Sequence, residues 1–164
     1  MKILLLDSIP EELAKAVSED IEKNYAIKPS ISKMPAVKDA FNPIRHQHSA
    51  EKIIASLKKD FEEFIAITGS DIYSENLAFT FGNASGKNAV ISTFRLRPEF
   101  YRQAPDAMLL KNRLSKKALH EAGHVLGLDN CWISGCVMTH VNTVGELDAL
   151  SKNLCQRCRG IFRK

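Results

Sequence analysis

No stretch of this 164-residue chain approaches the roughly 20 consecutive apolar residues of a membrane-spanning helix, so no membrane span is expected. No export signal is expected either: the opening Met1-Lys2-Ile3-Leu4-Leu5-Leu6 is cut short by Asp7 and reads better as a buried first strand. Charge of one sign is scarce, with a net of only +4. Basic residues do gather at the C-terminus (Arg157, Arg159, Arg163, Lys164), but no aromatic platform or helix-turn-helix pattern accompanies them. They read as the solvated face of a final helix, and no nucleic-acid partner is expected. Cysteine is confined to four residues, all after position 130. With no export signal, the expected compartment is the cytoplasm, where disulfides are rare and clustered cysteines more often hold metal. What is there is ordinary for a globular chain: 45% hydrophobic and 26% charged residues, in a length that suits one domain.

Taken in order, residues 2–8 form a short apolar run suited to a central strand covered on both faces. Residues 10–25 follow a helical pattern, with Pro10 in the first turn and Leu13, Val17 and Ile21 four apart. Residues 26–32 read as a second strand, and residues 34–44 as irregular. A helix over residues 49–61 and a strand over 63–68 come next. Residues 76–83 and 88–96 read as two strands joined by a turn at Ala84-Ser85-Gly86, hence antiparallel. His46 and His48 stand in front of a helix rather than in a strand, which argues against a metal role. Residues 97–105 form a polar loop, and Asp106 is placed to cap a long helix.

That helix carries His120-Glu121-Ala122-Gly123-His124, an HExxH motif. At this spacing the two histidines sit one turn apart on the same face and can reach one metal ion, with Glu121 beside them as general base. Leu114, Ala118, Ala122 and Val125 make an apolar stripe; His120 is turned roughly 200° from Ala118, so the helix can rest on a sheet while its histidines line a cleft. Gly127 is suited to end the helix. In the longer pattern HExxHxxGxxH a third histidine follows, but here that position is Asn130. Cys131 and Cys136, then Cys155 and Cys158, form two short-spaced pairs of the kind that closes a tetrahedral four-thiolate zinc site. Two disulfides or four unrelated thiols remain alternatives.

HEAGHVLGLDN, then Cys131, Cys136 and Met138, then Cys155-Gln156-Arg157-Cys158, resembles the archaemetzincin family of zinc metallopeptidases, whose pattern is HExxHxxGxxHC with a CxxxxCxM element and a later CxxC. Only the third ligand departs from it. The resemblance implies an α/β (α+β), metzincin-like zincin fold: a mixed, mostly parallel sheet of four or five strands and a small C-terminal part. Residues 1–164 would form one domain, with residues 1–128 ending in the active-site helix and 129–164 carrying the last helix from 144 to 162.

It further implies two zinc sites, one catalytic on His120 and His124 and one structural on Cys131, Cys136, Cys155 and Cys158. Met138 would be the methionine of a Met-turn beneath the catalytic metal. The implied function is peptide-bond hydrolysis by a metal-activated water, with Glu121 as general base. An edge strand would receive the peptide or protein substrate, and the chain is expected to be a monomer. Asn130, a weak neutral donor, sets up the alternative of a catalytically impaired, peptide-binding protein that keeps only its structural zinc. Asp129 and His140 are the nearby residues able to replace the missing histidine, Asp129 with its direction against it. A nucleic-acid module built on the cysteines and the basic tail is the weakest reading.

Overall fold

The structure, a computed structural model, describes residues 1–162. Arg163 and Lys164, part of the basic tail, lie outside the described residues. The apolar opening forms β1 (Lys2–Leu6), an interior strand of a five-stranded sheet. Successive side chains on a strand point to opposite faces, and both faces of β1 are covered. Ile3 and Leu5 join one apolar cluster with Val17 and Ile21 of α1 (Glu11–Tyr25). Leu4 and Leu6 join a second with Ile53, Ile54 and Leu57 of α2 (Ala50–Leu57). This burial on both sides is why the strand is continuously apolar rather than alternating.

The sheet runs β2 (Ser30–Met34), β1, β5 (Phe64–Thr68), β8 (Asn88–Ser92), β7 (Gly82–Ser85). The β1–β2, β1–β5 and β5–β8 pairs are parallel, and only β7–β8 is antiparallel, closed by a turn in which Gly86 takes φ +60°. The mixed, mostly parallel sheet expected from the sequence is therefore the one observed, and β7 is its edge beside α3 (Ala107–Val125). Asp106 caps α3, its side chain accepting from the Leu109 N–H at 2.9 Å. The stripe Leu114, Ala118, Ala122 and Val125 is buried against the cluster that holds α1.

Four expectations need correction. Residues 76–81 are not strand: Asn76 adopts a left-handed φ of 66° and the chain bows outward before β7 begins at Gly82. The alternating Leu77, Phe79 and Phe81 mimicked a strand, but Leu77 is exposed and Phe79 packs edge-on to Phe81 and under Arg95. The last helix is broken into α4 (Val144–Ala149) and α5 (Gln156–Phe162). Thr143 and Glu146 start α4 with a reciprocal cap; after it, Ser151 and Asn153 hydrogen-bond to Gly135 and Val137 and draw the chain back towards the cysteines. His48 does lie in a strand, β4 (Gln47–Ser49), which pairs with β3 (Phe41–Asn42) and β6 (Ile72–Tyr73) in a small second sheet. Residues 98–101 of the expected loop form a short 3-10 turn.

Candidate active site

α3 brings His120, Glu121 and His124 to one wall of a cleft of about 530 Å³. Residues 77–84 face them, and Asn130 and His140 close a third side. The Nε2 atoms of His120 and His124 are 3.0 Å apart. Each ring is aimed by its other nitrogen: His120 Nδ1 lies 3.0 Å from the Val137 carbonyl and His124 Nδ1 2.8 Å from the Leu128 carbonyl. A carbonyl only accepts, so both Nδ1 atoms carry the proton in the neutral rings. Two Nε2 lone pairs are then left facing one another, a repulsive contact that a cation relieves. Tetrahedral zinc with Zn–N near 2.05 Å would set that separation at about 3.3 Å, so the donor pair fits the metal. Burial, helped by the nearby Lys117 charge, depresses the His120 pKa to about 3, which keeps this imidazole in the neutral form that ligates.

Glu121 is almost wholly buried and pairs through Oε1 with Lys117 Nζ at 2.6 Å. Burial pushes its carboxyl up, but the Lys117 charge outweighs this and leaves it below its ordinary value. Lys117 was missed in the sequence, although its i,i+4 spacing to Glu121 was visible there. The edge strand crosses directly over this pair. A Cβ on Gly82 would lie 2.9 Å from Lys117 Cε and 3.0 Å from both Glu121 Oε1 and the Val90 carbonyl. Only glycine lets β7 pass so close.

Beneath the histidines lies Met138, fully buried. Its sulfur abuts Gly123, where an added Cβ would collide with Met138 Sδ and sit 2.8 Å from Cε and 2.9 Å from Tyr25 Oη. Tyr25 donates to the Leu119 carbonyl at 2.8 Å, so the end of α1, the middle of α3 and Met138 meet at one point. Gly127 takes φ +89° just after α3, and the chain turns back as its sequence suggested. Asn130 reaches the cleft wall but is exposed; Asp129 is exposed and does not line the cleft. His46 and His48 are elsewhere.

The four cysteines come together with all Sγ atoms within 4.8 Å of one another. Cys131 and Cys155 are 3.8 Å apart and Cys136 and Cys158 3.9 Å. A disulfide needs about 2.05 Å, whereas a tetrahedron with Zn–S near 2.3 Å has edges of about 3.8 Å. The separations fit a thiolate-bound zinc, and all four thiols are free. Trp132, next to Cys131, is 75% exposed and carries the Arg157 guanidinium 3.7 Å from its ring centre. Arg157 lies inside the CxxC loop, so this stack bridges both halves of the cluster.

A model of the "Peptidase family M54" matches residues 4–164. An archaemetzincin of Methanocaldococcus jannaschii is 35% identical over 162 residues, spanning 94% of this chain and 90% of the relative. Among solved structures, an archaemetzincin from Methanopyrus kandleri superposes with a TM-score of 0.85 at 28% identity, covering 99% of this chain and 93% of that one. A zinc-dependent peptidase from Methanocorpusculum labreanum gives 0.86 at 26% identity, with 99% and 100% covered. With the family model spanning nearly the whole chain and a relative 35% identical over 94% of it, the chain belongs to peptidase family M54, the archaemetzincins.

Proposed function

We propose that this chain hydrolyses peptide bonds as a zinc metallopeptidase with Glu121 as its general base. The observation that carries the reading is the convergence of two carbonyl-oriented Nε2 atoms beside a buried carboxylate in the main cleft. His120 and His124 would hold the zinc, which when bound supplies a Lewis acid for the scissile carbonyl and makes a water more acidic. Glu121 takes the proton of the attacking water and delivers it to the leaving amine. Lys117 engages Oε1, so Oε2 is the oxygen that accepts. As the outermost strand, β7 would pair with an extended peptide backbone, whose side chains would meet the apolar patch of Leu77 and Phe79. Met138 forms the floor of the site without ligating. A second zinc on the four cysteines would brace the loop that carries Asn130 and Met138. The same reading takes residues 1–164 as one domain, because Cys131, Cys136, Leu147 and Cys158 share the apolar cluster of β1, α1 and α3. Four free thiols suit a reducing, cytoplasmic setting.

The test is hydrolysis of a mixed peptide pool, abolished by a chelator and restored by zinc, set beside Glu121→Gln. Loss of the base is expected to lower kcat by about 10²–10⁴-fold. Activity that survives in Glu121→Gln sinks the mechanism. One observation favours a second reading, an impaired peptide-binding protein: Asn130, a weak donor, stands at the cleft wall where the family pattern has histidine. Zinc stoichiometry separates the two, about two ions per chain for the enzyme and about one for the binder.

A further inference from the structure

Asn130 leaves the cleft short of a strong third donor, since a carboxamide offers only a neutral oxygen. Of the five histidines in the chain, three line this cleft: His120, His124 and His140. The Cys131 N–H donates to the Met138 carbonyl at 2.8 Å and closes the intervening residues into a loop. Asn130 and Thr139 therefore leave the same end of that loop, and His140 emerges one residue further on, next to the place Asn130 holds. Its starting point is fixed. Val137 is tied to His120 through its carbonyl, and Met138 is wedged under Gly123. Three residues of chain from Val137 to His140 span at most about 11 Å. The imidazole itself is exposed, held by one hydrogen-bond contact of 3.2 Å between Nε2 and Asn142 Oδ1. As the ring stands it faces Asn142, and coordination takes a rotation of this solvent-exposed side chain. Asp129, the other nearby candidate, does not line the cleft.

We propose that His140 supplies the third protein donor to the metal held by His120 and His124, in place of Asn130. The inference rests on the reading of this cleft as a zinc site. Neutral imidazole is a far better zinc ligand than an amide oxygen, so a histidine on the adjoining loop restores a three-nitrogen set that leaves one position open.

The experiment is competitive zinc titration of the full chain against a chromophoric chelator, which separates a tight cysteine class from a second class of site. Cobalt(II) absorption of the second site provides a readout of coordination independent of activity. In His140→Ala the second class is expected to weaken by about ten-fold or more, with its cobalt d–d bands altered, while the cysteine class is unchanged and reports an intact fold. Asn130→Ala should change the second class less than about three-fold. If both variants weaken it ten-fold, Asn130 is a donor as well and the proposed replacement is overturned. If Asn130→Ala weakens it and His140→Ala does not, or if neither does, the proposal falls while the peptidase reading stands. A wild type with the cysteine class alone overturns the peptidase reading itself.

Discussion

Lys117 and Gly123 show how much of the site is decided by single residues that bear no metal. Lys117 and Glu121 are 9% and 2% exposed, and removing one partner of such a pair strands a buried charge. Lys117→Met is expected to cost about 3 kcal/mol in chelated protein, measured by urea denaturation. The cost should shrink once zinc is restored, because the metal charge then compensates Glu121; an equal loss in both states contradicts this. Gly123→Ala forces its methyl into Met138 and Tyr25 and should destabilise by about 1–3 kcal/mol, read as a fall in Tm. The motif made Gly123 look like a filler between two histidines. The reason it is glycine lies fifteen residues downstream in Met138 and far upstream in Tyr25, contacts that spacing along one helix does not carry.

Elements with a clear period were legible. β1, α1, α2, β5 and α3 fall close to where their apolar spacing put them, because each buries a face against the sheet. The segment before β7 was misread since its alternating apolar residues line a cleft and pack on Arg95 instead of pairing. Arg45 and Gln47 donate to the Leu77 and Ala78 carbonyls within that segment, and Glu51 on α2 pins its two flanks by accepting from Ser74, the Glu75 N–H and Asn83. Burial pushes this carboxyl up, but those hydrogen bonds prevail and leave its pKa lowered. The folded pKa is below the unfolded value, so the stabilisation is present above pH 4.5 and fades as pH falls through the folded value. Glu51→Gln should therefore flatten the loss of Tm below pH 4.5. It should also raise KM for peptides, since Ser74 and Asn83 line the cleft. A KM unchanged in this variant means the wall is held by other contacts.

Across the whole molecule, the two donor sets share one dipeptide. Cys136 belongs to the thiol cluster, while the next residue, Val137, aims His120 through its carbonyl and is itself held by Asn153. Losing the cysteine metal should therefore loosen the histidine site as well. Cys158→Ser is expected to release both zincs, whereas His124→Ala should release only one, as counted by elemental analysis. Independent loss in both variants removes the link. What was not legible in the sequence is that the backbone beside Cys136 also orients His120: the cysteine spacing pointed to a metal site, and a contact to a main-chain carbonyl leaves no mark on spacing.

The stack of Arg157 on Trp132 has an optical consequence. Trp132 is the sole tryptophan, so all indole emission comes from one ring, beside Cys131 and away from the histidine cleft. If the thiol cluster holds a metal, removing it is expected to loosen the two segments that carry the stack and so to change the colour and intensity of that emission. Trp132 would then serve as a built-in fluorophore for metal at the thiol cluster, read in real time during a chelator titration with no label attached; emission unchanged by the chelator contradicts this.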